Sequence, residues 1–415
     1  MDKILSKYLS SLLLASFLLF SAFPVFAEAE KDWTILVYLN GNNNLDEFGF
    51  VNMNQMEQVG SNEHINIVVQ WASLKNGKTQ RVLVKQDSNS STVTSPVLED
   101  MGKLDMGDSK NLVNFMLWGF KNYPAKHYMV DVWNHGSGWR RMKSLGFTQG
   151  DSFFPTDISW DDTTGNSITT KQLGEAMDQA ARVLGRKIDL YASDACLMGM
   201  AEVANELSDS VETFAGSEEV EAAAGWPYHT ILKRLAEHPE SDSVEFSKIL
   251  TEEFYRFYNE GGDSRQEATF SAFDLSQMST LNQSMTELSR VLGGLKSPER
   301  QKVVVAAKGT QRFAYSDYAD LLDFLNQLEG QKIASIPQSA ITGVKDALKK
   351  FVLVNAATSS HPRAYGTAFW FPTTSYVYER YASKYSTLKF HQETRWGDTL
   401  KALLKPKNSP SLSLR

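Results

Sequence analysis
The sequence predicts an α/β protein, with a mainly parallel central sheet, helices on both faces and a mostly helical C-terminal subdomain. Three observations lead there. Residues 33–39, 65–71, 127–133, 188–192 and 211–215 are short runs rich in apolar residues, as strands buried on both faces are. Segments of helical spacing separate most of them, which implies crossover connections and parallel neighbours. Beyond residue 239 helical spacing dominates.

The elements follow in order. Lys3 and Lys7 precede an apolar run over 12–26, interrupted by Ser16, Ser21 and Pro24 and closing on Val25-Phe26-Ala27. It is too short and broken to span a bilayer. It reads as a signal peptide, 1–27, cut after Ala27. The protein is then exported, to a periplasm or the medium, and no later stretch is long and apolar enough for a membrane helix. The strand at 33–39 breaks at Asn40-Gly41-Asn42-Asn43-Asn44, and a helical pattern runs on to about residue 59. The strand at 65–71 is followed by Asn76-Gly77, a hairpin turn, and by a strand at 81–85. Asp108 or Ser109 caps a helix carrying Leu112, Met116 and Phe120 on one side. The strand at 127–133 delivers His135.

Residues 140–167 lapse into Gly, Ser, Thr and Asp. Thr169 and Gln172 then have capping-box spacing, and Leu173, Met177, Ala180 and Leu184 recur as on a helix. The strand at 188–192 delivers Asp194 and Cys196, before a helix at 201–207 and a strand at 211–215. These elements make a core domain over 28–240. The C-terminal subdomain, 241–404, is expected to pack on the same sheet. It has helical spacing at 243–258, 281–292 and 317–328 and strands at 268–273 and 365–371, the second closed by Pro372 as an edge strand is. The tail, 405–415, is polar.

Composition narrows the function. The chain has 42% hydrophobic and 22% charged residues and a formal net charge of −7, an ordinary globular balance. The acidic balance and the lack of a basic cluster argue against nucleic acid. Cys196 is the only cysteine, so no internal disulfide supports the fold. Oligomeric state is not legible.

Ligands on such sheets bind at the carboxyl ends of the strands. His135, in Asn134-His135-Gly136-Ser137-Gly138-Trp139, and Cys196, in Asp194-Ala195-Cys196-Leu197-Met198-Gly199, both fall there. A free thiol has a pKa near ~8.5 and needs an imidazole or a helix N-terminus to become a nucleophile. His135 supplies a base for Cys196 and later an acid for the leaving amine. The N–H groups of Gly136 and Cys196 form a candidate oxyanion hole, since Gly136 lets a substrate carbonyl approach. Asp194 suits a basic substrate side chain. The plainer readings are a buried apolar cysteine, a turn histidine and an aspartate that caps the next helix. His64, His127, His229, His238, His361 and His391 show no metal-ligand spacing.

The two motifs resemble the signatures of the clostripain family of cysteine peptidases. Trp160-Asp161-Asp162, Ser217-Glu218-Glu219 and Gly225-Trp226-Pro227-Tyr228 add to the likeness, which covers 33 to about 240. The resemblance implies a caspase-like α/β/α sandwich, a Cys196/His135 dyad and cleavage of protein or peptide substrates after Arg or Lys. It implies that Asp194 belongs to the pocket for the basic side chain, with Glu221 and Trp226 as further substrate-binding residues. Members mature by self-cleavage between His and Cys, and Arg140, Arg141 and Lys143 are the expected positions. No cofactor is required; some members use calcium, for which Asp161 and Asp162 offer oxygens, though not at EF-hand spacing. An acid often precedes the Gly-Trp pair, but here Ala222-Ala223-Ala224 stands there. Either Glu221 reaches in or the pocket prefers something less basic. The alternative to an enzyme is an exported binding protein that keeps the fold without turnover.

Overall fold
A computed structural model describes residues 30–140, 157–261 and 266–405. The expected signal peptide, Arg141, Lys143 and the tail beyond Lys405 lie outside the described residues. The strands are β1 (Lys31–Gly41), β2 (Ile65–Ser73), β3 (Lys78–Leu83), β4 (Val97–Gly102), β5 (Ala125–Trp133), β6 (Ile158–Asp161), β7 (Asn166–Ile168), β8 (Ile188–Asp194), β9 (Val211–Gly216), β10 (Thr269–Asp274), β11 (Tyr318–Asp320), β12 (Val352–Ala357) and β13 (Ala368–Trp370). A nine-stranded sheet has the order β12-β10-β9-β8-β5-β1-β2-β3-β4. Its centre, β9-β8-β5-β1-β2, is parallel throughout. The pairings outside it are antiparallel.

Alternation along each strand feeds two cores. On β1, Ile35, Val37 and Leu39 enter one, while Leu36 and Tyr38 enter the other. Helices Asp46–Glu57, Tyr228–Glu237 and Ser243–Glu260 cover the first. Helices Ser109–Asn122, Thr170–Leu184, Ala201–Leu207, Met278–Gly293 and Gln338–Phe351 cover the second. Burial on both faces is why the central strands read as near-continuous apolar runs. The result is a caspase-like α/β/α sandwich. The Thr169–Gln172 capping box forms as its spacing predicts.

The C-terminal segment departs from expectation in three places. Its β10 and β12 extend the main sheet, and β12 was not foreseen. The expected strand at 365–371 shortens to β13 and pairs with β11 in a separate two-stranded sheet. It also meets the loop after Cys196, where the Ala368 N–H donates to the Gly199 carbonyl at 2.9 Å. The helical pattern at 317–328 begins as β11; its helix is Leu321–Gly330, capped by Asp320, which accepts from the Asp323 N–H at 2.6 Å.

Chain order reverses between β1 and β5, neighbours in the sheet. The carboxyl ends of β1, β5 and β8 therefore open a crevice at a topological switch point.

Candidate active site
A cavity of about 360 Å³ occupies that crevice, lined by Asn44 from the loop after β1, His135 and Gly136 after β5, and Asp194, Cys196 and Glu221. Asn134 anchors the His135 loop. Its Nδ2 donates to the Asn40 carbonyl at 2.6 Å, its Oδ1 accepts from the Trp160 N–H at 2.6 Å, and its N–H donates to the Asp194 carbonyl at 3.1 Å. One residue, through its side chain and its backbone N–H, thus ties together the ends of β1, β5 and β8. His135 Nε2 lies 2.7 Å from Asn44 Oδ1. With that amide oxygen as acceptor Nε2 carries the proton, and Nδ1 is the basic nitrogen. Burial pushes the imidazole down to about 4.

The nucleophile loop packs directly on Gly136. A Cβ there would sit 2.4 Å from the Cys196 carbonyl oxygen and 3.0 Å from the Ala195 Cβ. The missing side chain makes room for the Cys196 backbone, a need that the sequence reading, which assigned the space to a substrate carbonyl, did not foresee. Leu197, just after the cysteine, is buried and held at φ 61°. That conformation costs roughly 1–2 kcal/mol for a non-glycine residue. Its N–H donates to the Glu219 carbonyl at 3.1 Å, and the Gly199 N–H donates to the Ser217 carbonyl at 2.7 Å. The loop after β9 therefore clamps the turn that presents the thiol. The Cys196 Sγ lies 3.8 Å from the Glu221 carbonyl oxygen. Burial, then the Glu221 charge, push the thiol up to about 12. The following helix starts only at Ala201, so the expected help from a helix N-terminus is absent. At rest the cavity holds a neutral thiol and a neutral imidazole.

Acids form the cavity floor. Tyr228 Oη lies 3.0 Å from Asp194 Oδ2 and 2.6 Å from Asp131 Oδ2. The Trp226 N–H donates to Asp194 Oδ2 at 3.2 Å, and the Asp194 N–H donates to Asp131 Oδ1 at 3.2 Å. Glu221 meets the Asp194 carboxyl side chain to side chain and accepts from Trp226 Nε1 at 3.1 Å. Gly225, at φ 64°, is needed here, because a Cβ would stand 2.9 Å from Asp194 Oδ2. Two like charges ~4 Å apart repel by about 4 kcal/mol at an effective dielectric of 20. Burial pushes Asp194 up to about 7 and, with the neighbouring charge of Asp194, holds Asp131 and Glu221 well above the usual carboxylate range.

Several sequence expectations change. Glu221 lines the cavity, but Trp226 is 1% exposed and supports Glu221 and Asp194 from behind. Arg140 is not at an exposed loop tip. It is 7% exposed, its Nη1 lies 2.6 Å from Asp317 Oδ1, and its guanidinium stacks 4.2 Å from the Tyr315 ring and 4.6 Å from that of Tyr381. It anchors the His135 loop, a poor position for self-cleavage. Asp161 does not fit calcium. Its Oδ2 accepts from Asn42 Nδ2 at 2.9 Å and the Met106 N–H at 3.0 Å, and its Oδ1 from the N–H and hydroxyl of Thr163. Asp162 Oδ1 is held by Trp160 Nε1 at 2.6 Å. Among the described residues, no group of three or more His, Cys, Asp or Glu side chains is placed to hold a metal, and no helix is long and apolar enough to cross a membrane.

Asn44, Asp131 and Tyr228 have no assigned role in the sequence reading. Asp131 carried a signal, as the only carboxylate in the buried run at 127–133.

Comparison with known proteins agrees with this architecture. The fold resembles the X-ray structure of an inactive zymogen C11 protease from Parabacteroides distasonis, with a TM-score of 0.66, 19% identity, and 88% of this chain and 98% of that one covered. It also resembles a secreted C11 cysteine protease from Bacteroides thetaiotaomicron in complex with an irreversible peptide inhibitor, with a TM-score of 0.63, 20% identity, and 89% and 99% covered. A stretch of 139 residues is 30% identical to clostripain of Hathewaya histolytica, spanning 32% of this chain and only 25% of that protein. The sequence profile of the clostripain family (peptidase C11) matches residues 37–402. The chain belongs to the clostripain family.

Proposed function
We propose that the protein is an exported cysteine endopeptidase that cleaves peptide bonds after Arg or Lys. The observation that carries this reading is one cavity uniting Cys196, His135 and an uncompensated acidic floor. Cys196 Sγ attacks the substrate carbonyl as His135 takes its proton; the N–H groups of Gly136 and Cys196 receive the oxyanion. His135 then protonates the leaving amine. It next activates the water that hydrolyses the thioester.

The acids bear on catalysis as well as recognition. The charges of Glu221 and Asp194 add to burial in raising the Cys196 thiol. A guanidinium or ammonium bound among them cancels that field and lowers the cost of forming the thiolate. Occupation by a basic side chain thus helps to prime the nucleophile. Self-cleavage falls at Arg141 or Lys143, since Arg140 is buried. The apolar leader and the relative described as secreted support export.

The test compares hydrolysis of reporter peptides with Arg, Lys or Ala before the scissile bond, by the parent and by Asp194→Asn. Arg and Lys reporters are cut fastest by the parent, and Asp194→Asn loses that preference. Equal rates for all three reporters in the parent would remove the basic specificity. The high thiol pKa at rest favours one second reading, a silent binding protein. Failure of an arginyl chloromethyl ketone to alkylate Cys196 in folded, reduced protein already cut between His135 and Cys196 would support it, whereas failure in the uncut chain alone marks a zymogen.

A further inference from the structure
The acidic floor has more acceptors than donors. Tyr228 has one hydroxyl proton for two carboxylates, Asp131 Oδ2 at 2.6 Å and Asp194 Oδ2 at 3.0 Å. Glu221 faces the Asp194 carboxyl, and Glu221 Oε1 is buried without a donor among the described residues. The surrounding groups bring no cation. Trp226 spends its two N–H groups on Asp194 and Glu221. Tyr258 Oη donates to the Gly225 carbonyl at 2.6 Å, and Asn52 Nδ2 donates to the Ala224 carbonyl at 3.1 Å. Cys196, His135 and Tyr315 complete the titratable groups around the cavity, and burial keeps each of them neutral at rest. Two carboxyls that meet without a donor between them need a shared proton. A bound cation removes that need.

We infer that Asp131 and Tyr228 are specificity-positioning residues that make the uptake of a cationic side chain by Asp194 and Glu221 release one proton to solvent. The inference rests on the reading that this cavity takes Arg or Lys. Burial holds Asp194 up to about 7 in the empty site, and a guanidinium against it pulls that value down. Between the two values the empty site carries a proton that the complex lacks. Affinity for a basic side chain therefore rises with pH, by about tenfold per unit for one proton, and levels off above about 7. A neutral side chain of the same shape shows no such rise.

Calorimetric titration of the full chain carrying Cys196→Ala tests this. The ligands are a tripeptide amide ending in arginine and its counterpart ending in citrulline, each at pH 6 in two buffers of different ionisation heat. The expected result is an arginine binding heat that differs between buffers by the equivalent of about one released proton, with no buffer-dependent heat for citrulline. Tyr228→Phe withdraws the hydroxyl shared by the two acids, so the pH at which arginine affinity levels off moves up. Asp131→Asn removes the carboxylate that competes with Asp194 for that hydroxyl and moves it down. A merely structural role weakens binding without moving that pH. Arginine binding with the same heat in both buffers overturns the proton coupling and leaves the basic specificity standing. No arginine binding at any pH overturns both.

Discussion

Gly136→Ala is a sharp test of how the two catalytic loops meet. Gly136 is not at a positive φ, so the backbone accepts alanine and the effect is one of space alone. The new Cβ would lie 2.4 Å from the Cys196 carbonyl oxygen, where an ordinary C···O contact is about 3.3 Å. The nucleophile turn must yield by about 1 Å. It is a clamped turn, with Leu197 held at φ 61° and bonded to the Glu219 carbonyl. Overpacking of this kind costs about 1–3 kcal/mol. A misplacement of about 1 Å at a reacting centre can cost on the order of 100-fold in rate. The assay is kcat/KM on an Arg reporter beside a thermal melt. The expected result is a fall of about 100-fold in kcat/KM with a loss of only a few degrees in Tm. Gly185→Ala is the control. Gly185 has φ 77° and nothing near its missing Cβ, so alanine there costs stability by strain and leaves activity unchanged. Parent-like activity of Gly136→Ala would refute the packing argument.

Other outcomes follow from the same geometry. His135 is pushed down to about 4 by burial and must be neutral to act as base. Hydrolysis of a peptide with a neutral side chain before the scissile bond should therefore persist well below pH 6.5, measured as kcat/KM against pH. Arg140→Met leaves Asp317 buried and unpaired, and breaking such a pair costs about 3–5 kcal/mol; adding Asp317→Asn should recover part of that loss in denaturant titrations. Burial pushes Glu202 up to about 7, above its unfolded value. The native state then holds a proton that the unfolded chain releases, so its contribution to stability is present at low pH and is lost as pH rises through about 7. Glu202→Gln should flatten the decline in Tm between pH 5 and pH 8.

The sequence was most legible where local pattern and burial agree. The central parallel strands announced themselves as apolar runs, and the Thr169–Gln172 box marked its helix to the residue. The two Gly-bearing motifs fell at strand ends, which sufficed to bring His135 and Cys196 to one crevice. Pattern failed where partners are distant in sequence. Arg140 looked like a loop-tip residue because Asp317 lies 177 positions away. Asp131 and Tyr228 meet across 97 positions with no shared spacing. Asn44 read as part of a polar break, although that break is the loop after β1 facing His135. Asp161 looked like an ion ligand because its oxygens could be counted, but its donors come from Asn42 and Met106 in other loops. The strand β11 was hidden because its residues continue the spacing of the helix that Asp320 caps.

The central claim is that Cys196, with His135, is the nucleophile of a peptidase. The most direct measurement is intact and peptide-level mass spectrometry after exposure to an arginyl chloromethyl ketone, paired with reporter hydrolysis by the parent, Cys196→Ala and His135→Ala. The account predicts one adduct, on Cys196, that arginine peptides compete away, and no hydrolysis above background by Cys196→Ala. Hydrolysis by folded Cys196→Ala at the parent's rate would contradict it.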